Sequence, residues 1–170
     1  QVISSLAERC SAVLQAWYPG EEGGHAVADI LYGTVAPSAK LSVSYPNTEV
    51  YEPLCYNYSA EQDPRVQWPF GYGLTYTTFE YKNLKVESEV QTTNPFIDLS
   101  FEVKNTGFMA GDEIAQGYLS STSDDQPIRP IQLQGFARIP LQPNESKTIN
   151  VRLYTEQFGF YSHMNGKRQW

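Results

Sequence analysis

The spacing of apolar and polar residues changes near residue 75 and divides the chain into two parts. In the second part apolar and polar residues alternate, which is typical of strands with one face in a core. The alternation is clearest at seven positions, which we expect to point inward: Ile97, Leu99, Phe101, Val103, Ile149, Val151 and Leu153.

Further strands are predicted at residues 78–86, 113–119, 131–139 and 158–161. Turn formers at Asn105-Thr106-Gly107 and Pro143-Asn144 separate them. Several short strands at this spacing predict two packed sheets of the immunoglobulin or fibronectin type III kind. We therefore expect residues 78–170 to form an all-β immunoglobulin-like sandwich.

The first part has a mixed pattern. The apolar run at residues 12–17 predicts a buried strand, and Leu41 to Tyr45 predicts another. Between them, Glu21 and Glu22 precede apolar residues at helical spacing up to Leu31, and Gly33 predicts the helix end. Strand, helix and strand form a βαβ unit, but one unit cannot bury both faces of a sheet. We expect residues 1–45 to be a fragment of a larger α/β structure.

Residues 46–77 have little periodicity and many turn-forming prolines, asparagines and glycines. So long a stretch without regular elements usually carries function or connects domains. The sequence therefore predicts an interdomain wrap, within an overall arrangement of an α/β fragment followed by a fibronectin type III-like sandwich.

Charge restricts the possible partners. The chain has 170 residues and a formal net charge of -7, which disfavours binding to nucleic acid because a phosphate backbone attracts clustered Lys and Arg. A polybasic membrane anchor is excluded on the same ground, and no apolar window has the length of a membrane span. Twelve tyrosines also suit sugar-facing surfaces, but ordinary β-sheet composition is the favoured explanation. The first residue is Gln1 and no targeting signal is readable, so we expect a portion of a larger protein.

Cysteine and histidine give no metal or cofactor site. Cys10 and Cys55 permit one disulfide, but two thiols are too few for a disulfide framework, and unpaired thiols are favoured. His25 and His163 have no Cys or His neighbours at ligand spacing. We expect neither a metal nor a cofactor.

Acidic residues are the first candidates for catalysis, because glycoside hydrolysis uses two carboxyl groups across a cleft. Glu21 and Glu22 are the best placed, but acids at a helix N-terminus have an ordinary structural explanation. The others are expected to be solvated loop charges: Asp63, Asp112, Glu113, Asp124 and Asp125. The glycine-rich turn Gly20 to Gly24 lacks the ending of a phosphate loop, and no Gly-x-Ser-x-Gly elbow occurs. No catalytic residue is therefore assigned.

Three segments carry a family resemblance. They are Ala16-Trp-Tyr-Pro-Gly-Glu-Glu-Gly-Gly-His-Ala-Val-Ala-Asp-Ile-Leu-Tyr-Gly33, Pro37-Ser-Ala-Lys-Leu41 and Trp68-Pro-Phe-Gly-Tyr-Gly-Leu-Thr-Tyr-Thr-Thr-Phe79. Together they closely resemble the C-terminal portion of family 3 glycoside hydrolases. Val103 to Gly107, Ala110 to Glu113 and Leu133 to Phe136 are similar to the terminal fibronectin type III-like domain of that family. The chain departs from the family pattern with Glu21 for Gln, Ala39 for Gly and Gly117 for Leu.

The resemblance implies a retaining, exo-acting β-glucosidase or β-xylosidase, extracellular or periplasmic. In the family the nucleophilic Asp lies in an N-terminal (β/α)8 barrel, and the acid/base Glu lies upstream of the segment that Trp17 to Gly33 resembles. Neither position occurs here, so these residues alone are expected to be inactive. The implied partners are the barrel and the rest of the α/β sandwich, in cis or as a separate chain, and a glycoside substrate. The alternative is a non-catalytic carbohydrate-binding or adhesion module.

Overall fold

The computed structural model describes residues 3–48, 54–86, 96–119, 132–154, 160–162 and 167–169. The expected turn acids Asp124 and Asp125, and also His163, lie outside these ranges. The described elements are helices α1 (Ser4–Ala7) and α2 (Gly23–Leu31) and strands β1 (Tyr45–Pro46), β2 (Val66–Trp68), β3 (Phe79–Val86), β4 (Phe96–Asn105), β5 (Gly111–Leu119), β6 (Gln132–Leu141), β7 (Ser146–Tyr154), β8 (Phe160–Ser162) and β9 (Lys167–Gln169). The chain divides into two compact units, and one boundary between them falls between Tyr76 and Thr77.

The first unit contains the predicted helix. Helix α2 begins at Gly23, directly after the two glutamates, and Gly33 follows its end with a φ of 73°. That left-handed conformation suits glycine and stops the helix, as the sequence predicts. The Tyr76 hydroxyl donates a 2.9 Å hydrogen bond to the Ile30 carbonyl, which ties the end of the first unit to this helix.

Two strand predictions in the first unit are wrong. Residues 12–17 are exposed and form no strand, because no neighbouring strand among the described residues offers them a ladder. Of the predicted strand Leu41 to Tyr45 only Tyr45 is in β1, which pairs antiparallel with β2. The expected βαβ unit is therefore not present in the described residues. Strand β2 lies within residues 46–77, for which the sequence predicts no regular element.

The second unit has the predicted sheets. Strands β3, β4 and β7 form an antiparallel sheet with β4 in the centre, β5 pairs with β6, and β8 pairs antiparallel with β9. In the β4 and β7 register, Ile97 lies opposite Leu153 and Phe101 lies opposite Ile149. The predicted inward residues thus share one face of the sheet. An α/β piece followed by a fibronectin type III-like β sandwich is the fold of this chain.

The core of the second unit lies between the sheets. Val103, Ala115, Ile139 and Leu141 form its buried cluster, and Phe101 and Ile149 pack against it half-buried. Ile97 and Leu153 are buried as expected, whereas Leu99 and Val151 are half-buried. Strand β3 is exposed along most of its length, because it is an edge strand of its sheet in the described residues.

A buried asparagine holds the strand ends together. The Asn105 side chain is fully buried, and its amide nitrogen donates to the carbonyl oxygens of Met109 at 2.8 Å and Leu141 at 3.2 Å. Its amide oxygen accepts from the Thr77 hydroxyl at 2.7 Å and from the Gly107 backbone N–H at 3.0 Å. Two donors and two acceptors are thereby all used, as burial of an amide requires.

Candidate functional site

The turn before α2 holds the two best-placed acids. The Gly23 N–H donates to the Gly20 carbonyl at 2.9 Å, which closes the turn. A Cβ at position 23 would lie 2.3 Å from the Cβ of Pro19, so the helix can begin there only with glycine. Gly23 therefore has a packing role, whereas a Cβ at Gly20 or Gly24 would meet no atom within 4 Å.

Glu21 and Glu22 both point into solvent. The Glu22 carboxylate lies 2.8 Å from His25 Nδ1, and the two side chains are 82% and 88% exposed. The carboxyl pair of a glycoside hydrolase faces its substrate across a cleft, whereas these two side chains are exposed at a turn. The geometry thus gives both acids the role of solvated charges at a helix start.

Asp63 is not the solvated loop charge that the sequence predicts. It is buried, and its two oxygens accept from the Arg65 guanidinium at distances down to 2.6 Å. Oδ1 also accepts from the Arg65 backbone N–H at 2.9 Å. The side-chain and backbone hydrogen bonds from Arg65 lower the pKa of Asp63 to about 2. The prediction failed because an arginine two residues from an aspartate can form either a buried ion pair or two solvated charges, and the sequence pattern does not distinguish them.

Asp112 and Glu113 lie in strand β5 and have partners. Arg138 Nε on β6 donates to Asp112 at 2.6 Å, and the Tyr81 hydroxyl on β3 donates to Glu113 at 2.8 Å. Burial and the neighbouring Glu113 raise the pKa of Tyr81. The first contact joins the paired strands β5 and β6, and the second joins β5 to β3, a strand of a different sheet.

The described carboxyl groups whose pKa is shifted all have a lowered pKa, whereas a general acid needs a raised one. Among the described residues, hydrogen bonds from Arg152 lower the pKa of Asp98, and the Gln142 backbone N–H and Lys147 lower that of Glu145. With Asp63, all three are held as carboxylates. Retaining glycosidases need one carboxyl group protonated at neutral pH, and in the described residues these shifts do not supply it.

In the described residues the two cysteines form no disulfide, and no group of side chains is arranged to bind a metal ion. Cys10 is exposed, Cys55 is half-buried, and both are free thiols. The Cys55 Sγ donates to Asn57 Oδ1 at 3.2 Å. In the part of the chain that the structure describes, no three His, Cys, Asp or Glu residues cluster as metal ligands would. Neither helix has the length and apolar character of a membrane span within the same residues.

Two of the motif segments form one structural unit. The Leu41 N–H donates to the Tyr72 carbonyl at 2.8 Å, and the Gly71 N–H donates to the Leu41 carbonyl at 2.7 Å. A Cβ at Gly73 would lie 2.6 Å from the Ala39 carbonyl oxygen, so the two segments approach too closely for a side chain there. Lys40 Nζ adds a 3.0 Å bond to the Gly73 carbonyl. The residues that carry the resemblance are therefore explained by backbone packing.

The first unit exposes large apolar side chains before α2 and at its end. Tyr18 is 98% exposed, Tyr32 88% and Leu31 68%, and Trp17 is half-exposed with one edge against Tyr45. Singly exposed apolar residues are ordinary, but six large ones within residues 13–32 are typical of a chain segment that another part of a protein covers. We refer to Val13, Leu14, Trp17, Tyr18, Leu31 and Tyr32 as the apolar surface.

The described residues form an α/β piece with exposed apolar side chains, followed by a fibronectin type III-like sandwich. Family comparison agrees with that organisation. Residues 1–76 match the glycosyl hydrolase family 3 C-terminal domain, and residues 113–170 match the fibronectin type III-like domain.

Known proteins match over almost the whole chain. A β-glucosidase of Kluyveromyces marxianus is 41% identical over 168 residues, which cover 86% of this chain and 19% of that protein. A xylan 1,4-β-xylosidase of Xylanibacter ruminicola is 39% identical over 162 residues, 91% of this chain and 18% of that one. The crystal structure of a Listeria innocua β-glucosidase in complex with glucose superposes with a TM-score of 0.84 at 31% identity, over 98% of this chain and 26% of that one.

The chain thus belongs to glycoside hydrolase family 3, and it corresponds to the C-terminal portion of the β-glucosidases and β-xylosidases of that family. It spans about a fifth of the length of the curated relatives it matches. The resemblance of the three sequence segments is confirmed.

Proposed function

We propose that these residues form the C-terminal support of a retaining, exo-acting β-glucosidase or β-xylosidase whose catalytic pair lies outside them. The observation that carries the proposal is the extent of the matches. Both units align in order with relatives named as such enzymes, yet they span only about a fifth of each. Support and positioning of the reacting groups, as distinct from bond cleavage, is then the task of this portion.

The apolar surface supports a contact with the remainder of the enzyme. Its residues lie before α2, at its last residue Leu31 and at Tyr32 directly after it. Burial of one large apolar side chain contributes about 1.5 to 3 kcal/mol. Residues 12–17 have strand-like composition but no neighbouring strand among the described residues. The rest of the α/β sandwich would cover the apolar surface and would provide a neighbouring strand for the backbone hydrogen bonds of residues 12–17.

The environment of the acids supports the absence of a catalytic pair. Glu21 and Glu22 are exposed, and the carboxyl group of Asp63 is held ionised by Arg65. The retaining pair of a glycosidase lies across a substrate cleft, whereas Glu21 and Glu22 stand at an exposed turn and Asp63 is engaged by Arg65. We therefore expect the 170 residues alone to show no turnover of aryl β-glucosides or β-xylosides.

A chimera tests the proposal. The aligned C-terminal segment of the Kluyveromyces marxianus β-glucosidase is replaced by this chain, and hydrolysis of an aryl β-glucoside is measured beside the isolated chain. Activity in the chimera with none in the isolated chain is the expected result. The matched Glu21→Gln/Glu22→Gln chimera should keep that activity, because neither acid is assigned a chemical step.

Two outcomes would overturn the proposal. The first is turnover by the isolated chain that disappears in the double variant, which would make the turn before α2 an active site. The second is glycan capture by the isolated chain together with an inactive but folded chimera, which would favour the carbohydrate-binding or adhesion module.

The location that we propose is extracellular or periplasmic. A relative described as the periplasmic β-glucosidase of Salmonella typhimurium is 33% identical over 175 residues, 91% of this chain and 23% of that protein. Cell fractionation with an antibody to the sandwich tests it, and recovery in the cytosolic fraction would contradict it.

A further inference from the structure

Two tripeptides in the chain have the pattern Asn-x-Ser, with x other than proline. They are Asn57-Tyr58-Ser59 and Asn144-Glu145-Ser146. This pattern is the acceptor sequence for N-linked glycans in secreted proteins, and an occupied site must lie where the folded chain leaves room for a bulky sugar. The structure separates the two tripeptides on that criterion.

Asn144 lies at the tip of the turn between β6 and β7. It is exposed, as are Pro143 before it and Ser146 after it. Its φ of 64° is left-handed, a conformation that asparagine tolerates in turns. The side chain of Asn144 therefore projects from a tight turn into solvent.

The hydrogen bonds described for this turn do not use the side-chain amide of Asn144. The backbone N–H of Asn144 donates to the Asn105 carbonyl at 3.0 Å, and the Glu145 N–H donates to the Gln142 carbonyl at 3.0 Å. The Glu145 carboxylate accepts from the Gln142 N–H at 2.7 Å and pairs with Lys147 at 3.2 Å. A glycan on the amide of Asn144 would break none of these bonds.

Asn57 is in a different position. It is half-buried, and its Oδ1 accepts from the Cys55 thiol at 3.2 Å. Within the same segment the Tyr58 carbonyl accepts from the buried Ser44 hydroxyl at 2.6 Å. A glycan on Asn57 would have to displace packed neighbours, so the two acceptor sequences form an internal comparison.

We propose that Asn144 is an N-glycosylation site, with a lipid diphosphate-linked oligosaccharide as the donor. The amide nitrogen of Asn144 forms a bond to the anomeric carbon of the sugar, and the bond from that carbon to the diphosphate oxygen breaks. The lipid diphosphate leaves with the electron pair, and a base of the transferase takes the proton that the nitrogen loses. The proposal rests on the proposed extracellular location, because this transfer takes place in a secretory lumen.

Translation into microsomes tests the site without reference to enzymatic activity. The 170 residues, behind a cleavable signal peptide, are translated with microsomes, and protease protection identifies the translocated chain. Mobility is compared before and after treatment with peptide N-glycosidase. We expect the wild-type chain to migrate more slowly than the glycosidase-treated chain. In both Asn144→Gln and Ser146→Ala this difference in mobility should decrease by the contribution of one glycan.

Controls separate acceptor chemistry from local structure. Ser146→Thr keeps the acceptor pattern and should keep the shift, while Asn144→Gly removes the acceptor in a residue suited to positive φ and should lose it. Asn57→Gln should keep the contribution of the Asn144 glycan. A translocated wild type without a shift, or an Asn144→Gln chain with the wild-type shift, overturns the proposal. Loss of β-glucosidase activity in the chimera would leave this readout unaffected, so the two proposals fail separately.

Discussion

Replacement of Asn105 should destabilise the sandwich more than any other single polar substitution that the described contacts suggest. Asn105→Ala removes four hydrogen bonds at once and leaves their partners inside the protein: the Thr77 hydroxyl, the Gly107 N–H and the carbonyl groups of Met109 and Leu141. An unsatisfied buried polar group costs more than the bond itself contributes.

The magnitude follows from the burial of each bond. The bonds to Thr77 and Leu141 are buried and contribute about 1 to 1.5 kcal/mol each, while the half-buried bonds to Gly107 and Met109 contribute about 0.5 kcal/mol each. The loss of unfolding free energy is therefore about 3 to 4 kcal/mol. Asn105→Asp should lose more, since it keeps the acceptors, removes both donors and places a carboxylate beside two carbonyl oxygens.

Urea denaturation followed by far-UV circular dichroism measures the difference. Asn150 offers a matched control, because it is an exposed asparagine on β7 opposite Ser100. Asn150→Ala should change the unfolding free energy by less than about 0.5 kcal/mol. A loss below about 1 kcal/mol for Asn105→Ala, with an unchanged denaturant slope, would show that the buried amide is not what fastens these strand ends.

Three further predictions test other parts of the structure. Phe101→Ala should cost about 2 to 3 kcal/mol, below the range for a fully buried ring because Phe101 is half-buried, whereas Leu84→Ala on the exposed edge should change little in the same urea titration. Gly107→Ala should cost about 1 to 3 kcal/mol, because its Cβ would lie 2.2 Å from the Thr77 hydroxyl; a neutral result would mean that the turn can shift. The pKa of Asp63 is about 2 in the folded state, below its ordinary value of 3.8. Its stabilising effect is therefore full above about pH 4 and is lost as the pH falls toward 2. Tryptophan fluorescence in an acid titration should show that loss in the wild type and not in Asp63→Asn, and identical curves would contradict the pairing.

The sandwich is predictable from the sequence because its signal is local. Alternation at Ile97 to Val103 and at Ile149 to Leu153 states which face is buried, and the register in the structure places those residues opposite each other. Turn formers at Pro143-Asn144 mark the end of β6 correctly. What the pattern cannot supply is the degree of burial, which depends on the sheet above, so Leu99 and Val151 are less covered than expected.

Polar contacts between distant segments are harder to predict. The sequence marks Asn105-Thr106-Gly107 as a turn, but nothing local indicates that Thr77 and Leu141 converge on the Asn105 amide. Asp63 is similar, because a loop carboxylate next to an arginine two residues away is equally compatible with solvent exposure. The turn motif that contains Asn105 was the only local signal, and it indicates the turn but not the hydrogen-bond partners of the Asn105 side chain.

The failed strand at residues 12–17 gives the most information about function. Its apolar run has the composition of a buried strand, and a strand needs a neighbour that satisfies its backbone N–H and C=O groups. In the described residues Val13, Leu14 and Trp17 are about half-exposed instead. A local pattern that favours burial, in residues that are exposed in this structure, is what a surface covered by a further part of the protein would show. The same residues that make the secondary-structure prediction wrong thus support the proposed contact with the remainder of the α/β sandwich.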